Sequence, residues 1–556
     1  LRKKSKTKHN KRLSIVLFTF SFVFILLFGR LIYIQGYKGK EYYERAVRQS
    51  EIKIDLTSNR GTIYDRNNMM LTDNEKEDIV VILKRNFDLD KEKIDILKKV
   101  TNLSEKQIYN RFETKSNLIE LKIKDLNDSL RKQIESKSAI LIVNKTYRYR
   151  SENILTHVLG YINEYENKGV SGIEKAKNDL LKDQNREYVE AFVDARKNVV
   201  PGSFKKYQSE DIKHKNIKLT IDYNIQKIVE KALDKNHKNG AVIVSDVNTG
   251  EILAMASRPN FNPNKIEDYI DSEKQELLNK AIQCKYPPGS IFKIIVTLAA
   301  FEEGLVDEEE KFDCKGYIEF DGIKIKCWER EGHGEETFKE AFYNSCNPVF
   351  VEIGKRLGSK KILETAKRMG LSDKIDIGLE EEKETSLPKG DSVKGNAIGN
   401  ISIGQGDVEV TPLQVNQMTQ IIANNGVYKK LYLFDSILDQ NMNAIQKHKS
   451  EKDKVVMSPF IINRIKKLME GVVETGTAKN IKEIQGNSAG KTGSAEYYVN
   501  GKKFVHGWFT GYYPAKIPKY AVTVFIYDGK SGSGAAAPVF KDIIENINNI
   551  KQVQAQ

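Results

Sequence analysis

The chain has 556 residues, 40% of them hydrophobic and 30% charged, which excludes a single small domain and wholesale disorder and leaves room for about two to four domains. Its formal charge of +14 raises nucleic acid or an anionic membrane as a partner. Position decides between them, because 7 of those charges sit in residues 1–12, as Arg2, Lys3, Lys4, Lys6, Lys8, Lys11 and Arg12 without one acid.

Residues 13–29 (LSIVLFTFSFVFILLFG) carry no charge, and Arg30 is followed by the apolar Leu31, Ile32, Tyr33 and Ile34. At 1.5 Å per residue the run from 13 to 34 spans about 33 Å, enough for a bilayer with Arg30 reaching outward. The alternative is a cleaved signal peptide, but its apolar core is shorter and ends at a small-x-small site, which Phe28-Gly29-Arg30-Leu31 does not offer. By the positive-inside bias the tail is expected in the cytoplasm and everything after Ile34 outside, so nucleic acid is not an expected partner. The chain opens on Leu1, as expected of a truncated start or an unusual initiation codon translated literally.

All 12 Pro, both Trp, all 4 Cys and 30 of the 37 Gly lie beyond residue 200, so two differently built regions are expected to meet near Pro201-Gly202. In the first, residues 52–56 and Arg60-Gly61-Thr62-Ile63-Tyr64-Asp65-Arg66-Asn67 read as a strand, a turn and a short strand. Residues 86–135 read as the helices of a small insert, with a capped start at Leu103-Ser104-Glu105-Lys106-Gln107. A strand and a helix follow over 145–161, and Gly172-Ile173-Glu174 opens another helix. Alone, this region reads as a scaffold or interaction module.

In the second region, residues 218–222 form a strand leading into a helix over 223–238, and strands at 240–246 and 251–257 flank the turn Val247-Asn248-Thr249-Gly250. A helical pattern runs over 290–303, late strands are expected at 488–498, 503–512 and 520–527, and a closing helix over 537–550. The order fits an antiparallel sheet flanked by terminal helices with a helical subdomain inserted, a mixed α/β fold.

Three short motifs carry the chemistry. In Pro287-Pro288-Gly289-Ser290-Ile291-Phe292-Lys293 the helix breakers end where the helical pattern begins, so Ser290 and Lys293 fall on one face of the first turn. A Ser hydroxyl is a poor nucleophile until a base takes its proton, and a Lys amine of lowered pKa can do so. In a Lys-rich chain an ordinary N-cap beside a solvated Lys has the same pattern. Ser345-Cys346-Asn347 begins 55 residues after Ser290, and Lys491-Thr492-Gly493-Ser494 opens a strand 144 residues after Asn347. Singly these read as a loop turn and an edge strand, but together and in this order they form the three-part signature of penicillin-recognising serine acyl-transferases.

The chain resembles the class B penicillin-binding proteins, the monofunctional peptidoglycan D,D-transpeptidases, over nearly its whole length after the tail. Further marks of that resemblance are Arg60 to Asn67, Gly172-Ile173-Glu174, Pro288-Gly289, Gly404-Gln405-Gly406 with Thr411-Pro412-Leu413-Gln414, Thr475-Gly476-Thr477-Ala478, and His506-Gly507-Trp508-Phe509-Thr510-Gly511. Asn68 stands where a Gly usually follows, and Tyr512-Tyr513 where Phe-Ala is commoner. The resemblance implies a penicillin-binding, β-lactamase-like transpeptidase domain over 213–550, an α+β pedestal or dimerisation-type domain over 35–212, and a last tail over 551–556.

It also implies roles. Ser290 would attack the carbonyl between two terminal D-alanines of a stem peptide, with Lys293 as general base and D-Ala leaving an acyl-enzyme. Backbone N–H groups of Ser290 and Ser494 would form the oxyanion hole, Ser345 would relay the proton and Asn347 would hold the peptide amide. Lys491 and Thr492, with Gly493 and Ser494 on the same strand, would bind the terminal carboxylate and admit β-lactams. The implied partners are lipid-linked peptidoglycan, the membrane and a polytopic membrane glycan polymerase, since no glycosyltransferase domain fits between anchor and catalytic region. A carboxypeptidase or β-lactamase, and a non-catalytic scaffold or β-lactam sensor, are the competing readings.

The cysteines leave two possibilities. Cys314 and Cys327 could pair in an exported protein. Alternatively Cys314, Cys327, His333 and Cys346 supply three thiolates and an imidazole, a donor set for a closed tetrahedral zinc site, and some class B members carry a metal at the corresponding place. No organic cofactor is expected. Cys284 is left as a buried or free thiol, His157 and His506 are expected to be structural, and Glu380-Glu381-Glu382-Lys383-Glu384 to be a solvated loop.

Overall fold

The computed structural model describes residues 2–42, 51–55, 60–84, 87–113, 118–135, 140–163, 166–182, 188–192, 205–207, 214–235, 239–320, 322–385, 387–499 and 501–555. The chain forms two compact units, one of Leu1–Asn59, Glu75–Tyr147 and Asn185–Asp211 and one of Arg60–Asn74, Arg148–Gln184 and Ile212–Gln556. The expected junction at Pro201-Gly202 lies outside the described residues.

In the first unit the helix Arg2–Ile32 runs into a π turn, Tyr33–Tyr37, and Ile15–Tyr37 is long and apolar enough to cross a membrane, with none of it buried. The same unit holds a sheet in which Glu75–Leu83 lies between Leu118–Lys122 and Ile140–Tyr147, all antiparallel. Helices Lys91–Thr101, Glu105–Phe112 and Asp128–Glu135 accompany it, and Leu97, Val100 and Ile108 share a core with Val80, Ile82 and Ile119. Ser104 and Gln107 form the expected capping box. The all-helical expectation for 86–135 fails at Leu118–Lys122. There Ile119 and Leu121 alternate inward as a strand, and its partner, Glu75–Leu83, is too far off in sequence for local periodicity to reveal.

The second unit is built in chain order from α1 (Tyr223–Asp234), β1 (Gly240–Asp246), β2 (Ile252–Arg258), α2 (Lys293–Glu302), α3 (Phe338–Asn344), α4 (Asn347–Leu357), α5 (Pro412–Ala423), α6 (Pro459–Glu474), β3 (Ala489–Val499), β4 (Lys502–Tyr513), β5 (Tyr520–Ile526) and α7 (Ala537–Ala555). The sheet order is β2-β1-β5-β4-β3, antiparallel throughout, which leaves β3 at an edge. Strand β5 (YAVTVFI) is buried at every residue, as a central strand covered on both faces must be. Helix α5 is also buried at every residue; Thr411 and Gln414 cap its start with Pro412 in the first turn. Its Asn416 meets Ser245 Oγ (2.6 Å), Ile243 O (3.3 Å) and Ala521 O (3.2 Å), so a buried amide fixes where the helix sits on β1 and β5.

Two of the marks noted in the sequence, Arg60 to Asn67 and Gly172 to Glu174, meet in this unit. Arg60 Nε donates to Glu174 Oε2 and Arg148 Nε to Glu174 Oε1, both at 2.7 Å, while Arg148 also pairs with Asp73 and donates to Gly61 O (2.8 Å). Two guanidiniums thus face two carboxylates, with the Arg60 and Glu174 side chains 0% exposed. Asn68 has φ +65, a left-handed conformation that Asn tolerates better than most residues, which accounts for glycine being usual there.

Other expectations shift by a few residues. Helix α1 ends at Asp234, and residues 236–238 lie outside the described residues. The strand expected over 218–222 runs Asn216–Leu219, and α7 continues to Ala555. The acidic run is not a solvated loop throughout. Glu382 is buried and accepts from the main-chain N–H groups of Ile375 (2.6 Å), Asp376 (2.9 Å) and Ile377 (2.9 Å).

Glu174→Gln leaves two buried guanidiniums against one carboxylate and is expected to destabilise the full-length protein in detergent by about 3–5 kcal/mol on urea unfolding. Lys175→Gln, which breaks the exposed Lys175–Glu380 pair (3.2 Å), is expected to change it by less than about 1 kcal/mol.

Candidate active site

Ser290 lies in a 3-10 turn, Gly289–Phe292, that feeds directly into α2. Residues i and i+3 eclipse in such a turn, so Ser290 and Lys293 come onto one side more closely than on a regular helix. The approach is pinned by bonds to its main chain. Tyr286 and Val410 exchange N–H···O bonds (3.0 and 2.9 Å), Gly289 N donates to Gly404 O (2.9 Å), and Trp508 Nε1 donates to Pro287 O (3.0 Å). Gly289 has φ +55, and a Cβ there would lie 2.8 Å from Ser494 O. Glycine is required at this contact.

Helix α2 is apolar around almost its whole circumference, so its first residue is carried into the core and Lys293 is 0% exposed. Its Nζ donates to Ser345 O (2.7 Å), Ser345 Oγ (3.2 Å) and Asn347 Oδ1 (2.7 Å). Those partners are offered by the corner between α3 and α4. Ser345, at the end of α3, is left-handed (φ 56, ψ 43), and Cys346 precedes α4, with Pro348 in its first turn. Asn347 Nδ2 in turn donates to Lys326 O (2.9 Å), which orients its oxygen toward Lys293.

Lys491, Thr492, Gly493 and Ser494 lie on β3, opposite Thr510, Phe509, Trp508 and Gly507 of β4. Thr492 Oγ1 meets Thr477 Oγ1 at 2.6 Å. The Gln405 side-chain amide, oriented to donate to Glu496 O (3.2 Å) and accept from Glu496 N (3.3 Å), closes the free edge of β3 at that residue. Ser494 lies two residues before Glu496 and has its carbonyl against Gly289, so its N–H also points away from β4.

Burial pushes the Lys293 ammonium down to about 8, against the opposing pull of Cys346, Cys327 and Glu336. Lys491 is driven well below the ordinary lysine value by burial and by the neighbouring Lys293 charge. The cleft therefore holds two buried amines, and burial disfavours the charged form of both.

The donor atoms of Cys314, Cys327, His333 and Cys346 all lie within 4.8 Å of one another. All four cysteines are free, and Cys284 stands apart, half-buried. His333 Nε2 and Glu336 Oε1 are buried without a hydrogen-bond partner. Contact between Cys346 and Cys327 lowers the Cys327 thiol and raises that of Cys346, as two thiols sharing one proton must. This donor set fits a tetrahedral zinc ion.

The site opens into a cavity of about 1420 Å³ lined by Ser290, Ser345, Asn347, Thr492 and Ser494, with Cys327 in one wall. Lys293, Lys491 and Gly493 are buried behind that lining. Thr477 and Trp328 are among the lining residues not singled out from the sequence as site residues. Thr477 is bonded to Thr492 as described, and Trp328, 59% exposed, donates to Asn344 O (2.8 Å) and meets the His333 ring in a T-shaped contact. The first belongs to the Thr-Gly-Thr-Ala mark and the second follows Cys327, which were the available signals. His506 is buried and stacked on Tyr497 at 4.0 Å, with burial holding it down to about 4, and His157 is buried with its Nε2 donating to Glu276 O (2.7 Å).

A family model described as the penicillin-binding protein transpeptidase domain matches residues 240–545, and one described as the penicillin-binding protein dimerisation domain matches 55–219. Stage V sporulation protein D of Bacillus subtilis (strain 168) is 30% identical over 96% of this chain and 85% of its own length. A peptidoglycan D,D-transpeptidase, MrdA, of Acinetobacter baumannii is 27% identical over 93% of this chain and 85% of its own length. Among solved structures, penicillin-binding protein A of M. tuberculosis as an imipenem acyl-enzyme complex is 29% identical (TM-score 0.56), covering 60% of this chain and 80% of that one. A penicillin-binding protein (PBP2) of Helicobacter pylori shares the fold with a TM-score of 0.66 at 24% identity, covering 90% of this chain and 99% of that one. The chain belongs to the penicillin-binding protein family, as a class B member that joins a dimerisation domain to a transpeptidase domain.

Proposed function

We propose that the chain cross-links peptidoglycan stem peptides through an acyl-enzyme on Ser290 and is acylated there by β-lactams. The observation that carries the reading is the buried Lys293 amine, held by Ser345 and Asn347 one 3-10 turn from Ser290. In its neutral form the amine takes the Ser290 proton as Oγ attacks the carbonyl between the terminal D-alanines. The N–H groups of Ser290 and Ser494 receive the developing oxyanion, and Ser345 returns the proton to the departing D-Ala amine. Asn347 holds the peptide amide, while Lys491 and Thr492 bind the terminal carboxylate, which restores the Lys491 charge that burial disfavours. An amine of a second stem peptide then displaces Ser290.

The same reading assigns residues 1–12 to a cytoplasmic tail, 13–34 to a single-pass anchor, 35–212 to the pedestal, 213–550 to the catalytic domain and 551–556 to a tail. It is supported by the apolar helix with its basic start and by the limits of the two family models. The catalytic domain then works outside the membrane on lipid-linked peptidoglycan, in company with a separate membrane polymerase. Cys314, Cys327, His333 and Cys346 would hold a structural zinc ion, which when bound ties the segment before α3 to the corner carrying Ser345 and Asn347 and takes no part in acyl transfer.

A fluorescent penicillin is expected to label the wild-type protein and not Ser290→Ala, with cross-linking lost by at least about a thousandfold. Labelling of the variant would sink the mechanism, and unimpaired growth on Ser290→Ala at normal protein level would favour a scaffold. Because the base must be neutral and its pKa is lowered, acylation rises with pH and levels off above about 8. At pH 6 the rate constant is expected at about a hundredth of its plateau, and a flat profile contradicts Lys293 as base. Metal analysis of the full-length protein is expected to find one zinc per chain, and a chelator to lower its melting temperature. A metal-free preparation of unchanged melting temperature removes the zinc assignment.

A further inference from the structure

Gly493 and Ser494 are approached by two separate backbones. From one side come Pro288 and Ile291 of the nucleophile turn, since a Cβ on Gly493 would lie 2.9 Å from Pro288 O and 3.0 Å from Ile291 Cγ1. The second approach is made by the turn Gly532–Ala536 that precedes α7. A Cβ on Gly532 would lie 2.3 Å from Trp508 O, 2.5 Å from Gly493 O and 2.8 Å from Gly493 N. Those atoms belong to the directly opposed pair Gly493 and Trp508 of β3 and β4. Gly532 N also donates to Ser494 Oγ (3.2 Å), and a Cβ on Gly507, opposite Ser494, would meet Ser531 O at 2.6 Å. The stretch of β3 that presents the Ser494 N–H is therefore clamped at backbone distance from both sides.

We infer that Gly532 is a positioning residue for acyl transfer, holding Gly493 and Ser494 so that the Ser494 N–H points at the oxyanion formed on Ser290. The inference rests on the Ser290 acyl-enzyme reading above and adds to it a residue in the turn before α7, outside the three motifs. An edge strand has a neighbour on one side only, so its free N–H groups can swing with the strand unless something stops them. The turn before α7 supplies that stop. Oxyanion donors act only when aimed at the place where charge develops, so a displacement of a fraction of an ångström at Gly493 is felt in the rate of acylation and not in the binding of the acylating agent.

The neighbouring glycine provides the control. A Cβ on Gly534 would touch only Ser531 Oγ, the end of a movable side chain, at 2.9 Å. With full-length protein in detergent and a chromogenic cephalosporin, Gly532→Ala is expected to lower the first-order acylation constant by about tenfold or more with the half-saturating concentration unchanged, and Gly534→Ala to stay within about twofold of wild type. The infrared carbonyl stretch of the acyl-enzyme gives a readout that loss of stability alone does not move. Donors aimed at that oxygen lower its frequency, so Gly532→Ala is expected to shift it upward. A wild-type acylation constant and carbonyl frequency in Gly532→Ala, or equal losses in both variants, overturn the inference. Should Gly532→Ala fail to accumulate folded, Ser494→Ala removes the Gly532 N–H acceptor while keeping the Ser494 N–H, and an unshifted carbonyl there overturns it likewise. Failure of the wild-type protein to acylate would instead overturn the Ser290 reading.

Discussion

Burying a lysine amine is the constraint around which the catalytic unit is arranged. An ammonium withdrawn from water is stabilised only where its protons find acceptors, and Lys293 has three: Ser345 O, Ser345 Oγ and Asn347 Oδ1. Offering them from one corner requires the left-handed Ser345 and a new helix starting at Asn347. Orienting Asn347 requires the carbonyl of Lys326, which the strand pair Tyr317–Phe320 and Ile323–Lys326 delivers. The burial that demands these bonds also lowers the amine's hold on its proton, as the base role proposed for it needs.

The sequence made the catalytic motifs legible because their residue types are chemically uncommon in that order, whatever surrounds them. Strands β1 and β5 were also readable, since continuous apolar runs bounded by turns leave few alternatives. What local pattern could not reveal was partnership at long range. The strand Leu118–Lys122 pairs with one about 40 residues away, and Thr477 reaches Thr492 across a turn of the chain, neither of which alters periodicity. The burial of Glu382 escaped for a related reason, because a run of acids looks solvated until three main-chain N–H groups are found facing one of them. The Cys and His spacing suggested two outcomes, and the convergence of four donor atoms needed coordinates to be seen.

The marks outside the catalytic motifs acquire physical reasons as well. Glu174 is the buried carboxylate shared by Arg60 and Arg148, and Gly404 is the neighbour of the Ser290 turn, with φ +69 and a Cβ position 2.2 Å from Gly289 O. Trp508 ties β4 to Pro287. Each joins distant parts of the chain by contacts that tolerate little change of shape.

The Gln405 amide on β3 has a further consequence. A peptide laid along an open edge extends the sheet residue by residue, and here the ladder is already taken at Glu496. From Ser494 to that stop is about 7 Å at 3.3–3.4 Å per residue. A chain paired along this edge would have to leave the strand direction there. For the stem peptide proposed as substrate, the edge would then act as a ruler, admitting a short extended end whose remainder can be bulky, branched or attached to something much larger than the protein itself.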